Sequence, residues 1–195
     1  MDNLIKDMES YAEEKNIPIM QKKGIDFLCK IIAKSDIENI LEIGTAIGYS
    51  AIKMALVDDN ITVTSIERDQ DRYIEALKNI KKAKLDKRIE VIYGDALDIK
   101  LKDKYDLIFI DAAKGQYIKF FEKFKKNLNK GGVIISDNLS FHGLVEQKER
   151  IESRNLRQLV GKIRKYVDFL KDNKEFKTKF YKVGDGIAVS IKKED

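Results

Sequence analysis

The chain holds one cysteine, one proline and one histidine, and it has no long apolar run; each scarcity closes a route. With Cys29 alone no disulfide can form within the chain, so a packed core must carry stability and a reducing cytoplasm is the expected compartment. One histidine and one cysteine cannot build a zinc cluster. A membrane-crossing helix needs about 18 or more consecutive apolar residues, and none occurs. The opening stretch "MDNLIKDMESYAEEK" is acidic and lacks the apolar centre of a signal peptide. Charge of one sign is also in short supply: Lys and Arg exceed Asp and Glu by only five, which permits an anionic partner such as RNA without requiring one.

What is present suits a single globular domain spanning 1–195, since 195 residues at 43% hydrophobic content can bury one substantial core. Five apolar runs stand out: Asn39–Ile43, Ile61–Ile66, Ile89–Tyr93, Leu107–Ile110 and Val133–Ser136. Amphipathic stretches separate them. Tyr73, Ile74, Leu77 and Ile80 recur at helical spacing, as do Phe120, Phe121, Phe124 and Leu128. Alternating strand and helix predicts an α/β fold, a mostly parallel sheet with helices on both faces. Two helices, about Asp2–Lys15 and Gln21–Ala33, precede the first strand as a helical cap segment over 1–35, with Pro18 in the break. Near the end, a long helix from about Gln147 to Leu170 carries Leu156, Leu159, Val160, Ile163, Val167 and Leu170 on one side. "KTKFYKV" and "IAVSIKK", joined by "GDG", then read as an antiparallel hairpin at the sheet edge.

In such sheets ligands sit beyond the carboxyl ends of the strands. The first end reads "LEIGTAIGYS", offering Glu42, Gly44, Gly48 and Ser50; the second ends on Glu67, the third leads into Asp95, and the fourth ends on Asp111. A dinucleotide fingerprint would need glycine at 44, 46 and 49, and the chain has Gly44, Ala46 and Tyr49. An acidic rim would repel a pyrophosphate but attract the sulfonium and ammonium of S-adenosylmethionine. Glu67 suits ribose hydroxyls. Asp95 can receive an adenine amino group or cap the following turn. The plainer alternative is that all four acids cap helices, which four successive strand ends make harder to sustain.

The fourth and fifth strands end on Asp111 and on Asp137–Asn138. Buried charge is costly unless paired or bound to a cation. Two carboxylates and an amide oxygen suit a hard divalent ion such as Mg²⁺. The bland alternative is a turn after the strand at Asp137–Asn138. Cys29, among Phe27, Leu28, Ile31 and Ile32, reads as a core thiol, and His142 as a loop residue.

With these residues in view, the chain from about Ile17 onward resembles the metal-dependent class I O-methyltransferases, the catechol and caffeoyl-CoA group. The resemblance is carried by "LEIGTAIGYSAI", "IERD", "GDA", "IDAAKGQY", "SDN" and "VGDGIAVS". Within the group it is most similar to bacterial tRNA 5-hydroxyuridine methyltransferases, through "NIPIM", "FHGLV" and the "RIESRNLRQLVGKI" helix. The resemblance implies a Rossmann-like, seven-stranded sheet whose last hairpin supplies the antiparallel strand, and a homodimer. It implies Asp111, Asp137 and Asn138 as metal ligands, Glu67 at the ribose and Asp95 with Ala96 at the adenine. Glu42, Gly44, Gly48 and Ser50 fall at the methionine end, Met20 over the cofactor, and Lys114 beside the reacting oxygen.

The expected chemistry is an in-line attack of a substrate oxygen on the sulfonium methyl, with the metal gathering two adjacent oxygens. Catechol has such a pair, and so does 5-hydroxyuridine at C5 and C4. The expected substrate is 5-hydroxyuridine at the wobble position of the tRNA anticodon, with a small catechol-like acceptor as the alternative. Arg150, Arg154, Arg157, Arg164 and Lys165 lie opposite the apolar stripe of the long helix, where Arg154 and Arg157 are the expected RNA contacts. A solvated helix face is the ordinary meaning of the same pattern.

Overall fold

The computed structural model describes residues 1–140 and 153–193. Its seven-stranded sheet has the order β3-β2-β1-β4-β5-β7-β6. The strands are β1 Asn39–Ile43, β2 Thr62–Glu67, β3 Ile89–Tyr93, β4 Tyr105–Ile110, β5 Leu128–Ser136, β6 Phe176–Tyr181 and β7 Ile187–Lys192. The first five pair in parallel. β7 runs antiparallel to β5, and β6 antiparallel to β7. This is the mixed sheet expected from the sequence, with the hairpin at one edge.

Both faces of the central strands are covered, which is why they read as unbroken apolar runs. Leu107 and Phe109 face a core built with α1 (Asp2–Glu14), α2 (Lys22–Ile32), α3 (Tyr49–Ala55) and α4 (Gln70–Lys82). Ile108 and Ile110 face the other core, built with α5 (Tyr117–Phe124) and α6 (Arg154–Asp172). The first two helices are therefore part of a core: Met8 and Ala12 of α1 and Ile25, Leu28 and Ile32 of α2 are buried in it. Among the described residues no helix is long and apolar enough to cross a membrane.

Two strand starts differ from the apolar pattern by more than one residue. β5 begins at Leu128 rather than Val133, and β4 at Tyr105 rather than Leu107. The polar stretch Asn129–Gly132 hides the continuation. Pairing resumes at Tyr105 and Leu128 across an irregularity, and the Asn129 side chain donates to Asp106 Oδ1 at 2.7 Å. The long helix is described from Arg154, with Ser153 Oγ accepting from the Leu156 N–H at 3.4 Å as its cap. Its earlier expected turns, with Arg150, and the expected loop residue His142 lie outside the described residues. Val160, Ile163, Tyr166 and Leu170 are its buried side. Tyr166 was absent from the expected stripe because its hydroxyl marks it as amphipathic. That hydroxyl is paired internally with Ser136 Oγ at 2.7 Å.

β1 and β4 are neighbours, but the chain leaves β1 toward β2 and leaves β4 toward β5. The following turns part there and open a crevice.

Candidate active site

The crevice is a cavity of about 480 Å³ at the carboxyl ends of the parallel strands, a size suited to a small-molecule ligand. Its floor is the β1 turn. Gly44 has φ +94°, and a methyl there would lie 2.5 Å from the Asp111 carbonyl oxygen. The β1 and β4 ends thus touch through a bare backbone.

At one end stand Glu67, Asp95 and Ala96. Glu67, 7% exposed, is held by three backbone N–H groups: Ala46 at 2.8 Å on Oε2, and Arg68 and Asp69, each at 2.9 Å, on Oε1. A carboxylate has more lone pairs than these donors use, so acceptor capacity remains for a ribose hydroxyl. Asp95 spends Oδ1 on capping its turn, through the Leu97 N–H at 2.8 Å. Its Oδ2 lies 3.7 Å from Arg68 Nη1. Arg68 and Arg72 also line the cavity. The rim expected to be acidic is therefore mixed, since Arg68, the residue after Glu67, already brings a cation to it.

Gly44, Thr45, Ser50 and Met20 also line the cavity. Gly24 makes space for Met20, whose Cε is 3.1 Å from where a Gly24 Cβ would sit. Tyr49, missed in the sequence except as a failed fingerprint position, is buried on the wall. Its hydroxyl donates to Glu9 of α1 at 2.7 Å, tying the first helix to the cavity.

Two residues expected at the cofactor do not reach the cavity wall. Gly48 caps α3 at φ +84°, a left-handed conformation that favours glycine, and its Cβ position faces Ala76 of α4 at an ordinary contact distance of 3.4 Å. Glu42 lies one residue inside β1 and is 0% exposed. Its carboxylate accepts from Thr45 Oγ1 and Ser65 Oγ, each at 2.6 Å, and from Ser50 Oγ. It reaches the cavity only by holding Thr45 and Ser50.

Burial pushes the Glu42 carboxyl up to about 7, against the pull of its three hydroxyl donors. The folded chain therefore holds this proton where the unfolded chain, near 4.5, has lost it. Glu42's contribution to stability is greatest below pH 4.5, falls as pH rises to about 7, and is flat beyond. Glu42→Gln removes that slope. Urea unfolding at pH 5 and pH 8 should show the variant gaining on the parent by on the order of 3 kcal/mol. An unchanged difference between the two pH values would place the ionised carboxylate at no cost in the core.

The remaining end is the donor cluster. Ile110 pairs with Ser136, so Asp111 and Asp137 leave adjacent strands side by side. Asp137 is 4% exposed, and its Oδ1 is buried without a hydrogen-bond partner. Burial, then the Asp111 charge, raise the Asp137 carboxyl to about 7. Asp111 is also raised, first by burial; Lys114 opposes the shift and Asp185 adds to it. The Asn138 amide lies between Lys114 Nζ, 3.2 Å away, and Asp185 Oδ2, 2.9 Å away; assigned from these neighbours, its oxygen faces the ammonium and its NH₂ the carboxylate, the one orientation that makes both hydrogen bonds. The chemistry of this set fits a hard divalent cation: two crowded carboxylates, one with an unmet oxygen, beside an amide oxygen. Among the described residues no three His, Cys, Asp or Glu side chains are placed to hold a metal ion, so the amide would be needed as the third donor.

The structure thus brings Met20, Gly44, Ser50, Glu67, Asp95, Ala96, Asp111, Lys114, Asp137 and Asn138 to one cavity. Arg154 and Arg157 are exposed on α6 and do not line it. Asp185 lines it and was missed as a site residue, although "VGDG" announced an acid in a glycine turn.

The family profile described as O-methyltransferase matches residues 1–193. A tapetum-specific methyltransferase of Arabidopsis thaliana is 32% identical over 90% of this chain and 77% of its own length. A Staphylococcus aureus structure, provisionally described as a caffeoyl-CoA O-methyltransferase, superposes with a TM-score of 0.93 at 38% identity, over 97% of this chain and 92% of that one. An O-methyltransferase of Bacillus cereus in complex with SAH superposes at 0.83 with 27% identity, over 99% and 92% of the two chains.

Proposed function

The chain belongs to the O-methyltransferase family, and from that membership we propose that it moves a methyl group from S-adenosylmethionine to one of two adjacent oxygens of a small catechol-type acceptor, with a divalent cation at Asp111, Asp137 and Asn138. It is an S-adenosylmethionine-dependent O-methyltransferase of the caffeoyl-CoA and catechol type. The observation that carries the finer reading is the donor cluster opening into the same cavity as Glu67 and the Gly44 turn.

S-adenosylmethionine supplies an electrophilic methyl on a sulfonium. A cation held by the cluster would supply a lowered pKa for a bound hydroxyl and a reason for vicinal oxygens. The chain's own residues do the rest. Glu67 takes the ribose, while the turn at 95–97 borders the adenine. Met20 and Tyr49 close the wall against water. Positioning of this kind can remove several kcal/mol of barrier, on the order of 7–11 in well-oriented cases. Lys114 Nζ, at the Asn138 oxygen, stands where it can take the acceptor's proton or stabilise the oxyanion.

The test is methyl transfer with Mg²⁺ or EDTA, offering a 3,4-dihydroxyphenyl acceptor and its 3-methoxy counterpart. Transfer to the diol alone, abolished by EDTA and restored by Mg²⁺, is expected. Full turnover after EDTA treatment would sink the cation.

A second reading keeps 5-hydroxyuridine of the tRNA anticodon as the acceptor. One feature favours it: α6 carries exposed Arg154, Arg157, Lys162, Arg164 and Lys165. This helix also packs beside the turn that follows Lys114, since Lys162 Nζ is 3.2 Å from where a Gly115 Cβ would lie. Such a row suits phosphates. The names of the compared proteins favour small acceptors, so this reading comes second. An anticodon stem-loop with 5-hydroxyuridine, assayed beside the diol, separates the two. If RNA is the substrate, replacing Arg154 and Arg157 by alanine lowers its methylation and spares the diol.

A further inference from the structure

The turn between β6 and β7 ends in Gly184, Asp185 and Gly186 and belongs to none of the parallel strand ends, yet it is built into the donor cluster. Three hydrogen bonds join it to the segment after β5. The Leu139 N–H donates to the Gly186 carbonyl at 2.9 Å, and the Ser140 N–H to the Asp185 carbonyl at 2.7 Å. The third follows from the Asn138 amide orientation its neighbours require, its NH₂ on Asp185 Oδ2 at 2.9 Å. The approach is close enough that only glycine fits: at Gly186, φ +87°, a methyl would lie 2.8 Å from the Ser140 nitrogen. On its other side the turn abuts α2, with a Gly184 methyl position 3.2 Å from Gly24 Cα. Asp185 is 5% exposed, and a buried acid is expensive unless its partners require it.

An asparagine amide can sit either way round, with oxygen and nitrogen nearly the same size. A carboxylate only accepts hydrogen bonds. Facing Asn138, it selects the NH₂ and turns the amide oxygen the other way, toward Lys114 Nζ. We propose that Asp185 is a positioning residue that fixes the Asn138 oxygen as the third donor of the cluster. This rests on the divalent-cation reading above. The oxygen-donor set is thus completed from a hairpin outside the parallel sheet, and the same turn braces the helix entry that follows Met20.

Mn²⁺ binding followed by electron paramagnetic resonance tests this without turnover, alongside calorimetry with SAH. Asp185→Ala should weaken Mn²⁺ binding at least tenfold, the scale of losing a residue that orients a metal ligand. Its SAH affinity should stay within twofold. Asp185→Asn should keep Mn²⁺ affinity within threefold of the parent, because its amide oxygen accepts the same NH₂. Equal losses in both variants would assign the effect to charge and overturn the orienting role, as would an unchanged Asp185→Ala. If Asp185→Ala does not fold, the parent decides: the Asn138 side-chain NH₂ protons should exchange slowly with solvent, and free-amide exchange overturns the proposal. A parent that binds no Mn²⁺ refutes the cation reading itself, whereas a parent that binds and an indifferent Asp185→Ala refutes only this inference.

Discussion

Asp137→Ala is expected to lower kcat/KM by about three orders of magnitude, some 4 kcal/mol of transition-state stabilisation, while the metal-free fold becomes more stable. Most inactivating core substitutions do the opposite. Asp137 is buried with an unmet Oδ1 and a carboxylate neighbour. Its carboxyl rises from 3.8 to about 7, so its contribution to stability falls as pH climbs through that window and is lowest above it. At pH 8 in EDTA, removing it should gain on the order of a few kcal/mol, less the cost of a small cavity. With Mg²⁺ in excess the order reverses, because binding to the folded state stabilises the parent alone. Thermal unfolding at pH 8 with EDTA and with Mg²⁺ reads both halves. A variant that is less stable than the parent in EDTA, or one that keeps its turnover, would show that Asp137 is a structural acid.

Much of this site could be read from the sequence, for a geometric reason. Parallel strands end on the same side of a sheet, so Glu67, Asp111 and Asp137 had to meet once the strand ends were placed. Two expected residues stand back from the cavity wall. Glu42 precedes Ile43, which is still in β1, and so sits inside the strand opposite Ser65, on the face of Ile40 rather than at the rim. Gly48 looks like a loop glycine in the motif, but its neighbour is Ala76, distant in sequence. Asp185, visible as an acid in a glycine turn, and Arg72 could not be placed at the cavity, since each enters it from an element whose docking no local pattern encodes. The acceptor is least legible. On the proposed cation site the donor set would favour vicinal oxygens, but nothing in it selects the body that carries them, and the exposed cations of α6 can meet phosphate or only water.

Gly44→Ala tests the floor on which both halves of the cavity rest. Unfolding free energy should fall by more than about 3 kcal/mol, and SAH affinity by at least about a hundredfold. Two costs combine. At φ +94° an alanine is strained, and its methyl would lie 2.5 Å from the Asp111 carbonyl oxygen and 3.1 Å from Ala112 Cβ. The first contact is with backbone, so no rotamer relieves it. Nor can the floor slide away freely: the Gly44 N–H donates to the Ile66 carbonyl at 2.9 Å, and the Asp111 N–H to the Ile43 carbonyl at 3.1 Å. Relief must part β1 from β4 at their carboxyl ends and carry Asp111 away from Asp137. Gly131→Ala is the control. Its φ is +72°, and nothing lies within 4 Å of the added methyl, so it carries strain without contact and should cost only about 1 kcal/mol with SAH binding intact. Urea unfolding and SAH calorimetry on both variants separate the terms. Equal losses in the two would mean that backbone conformation, not the touching of β1 and β4, sets the requirement for glycine at position 44.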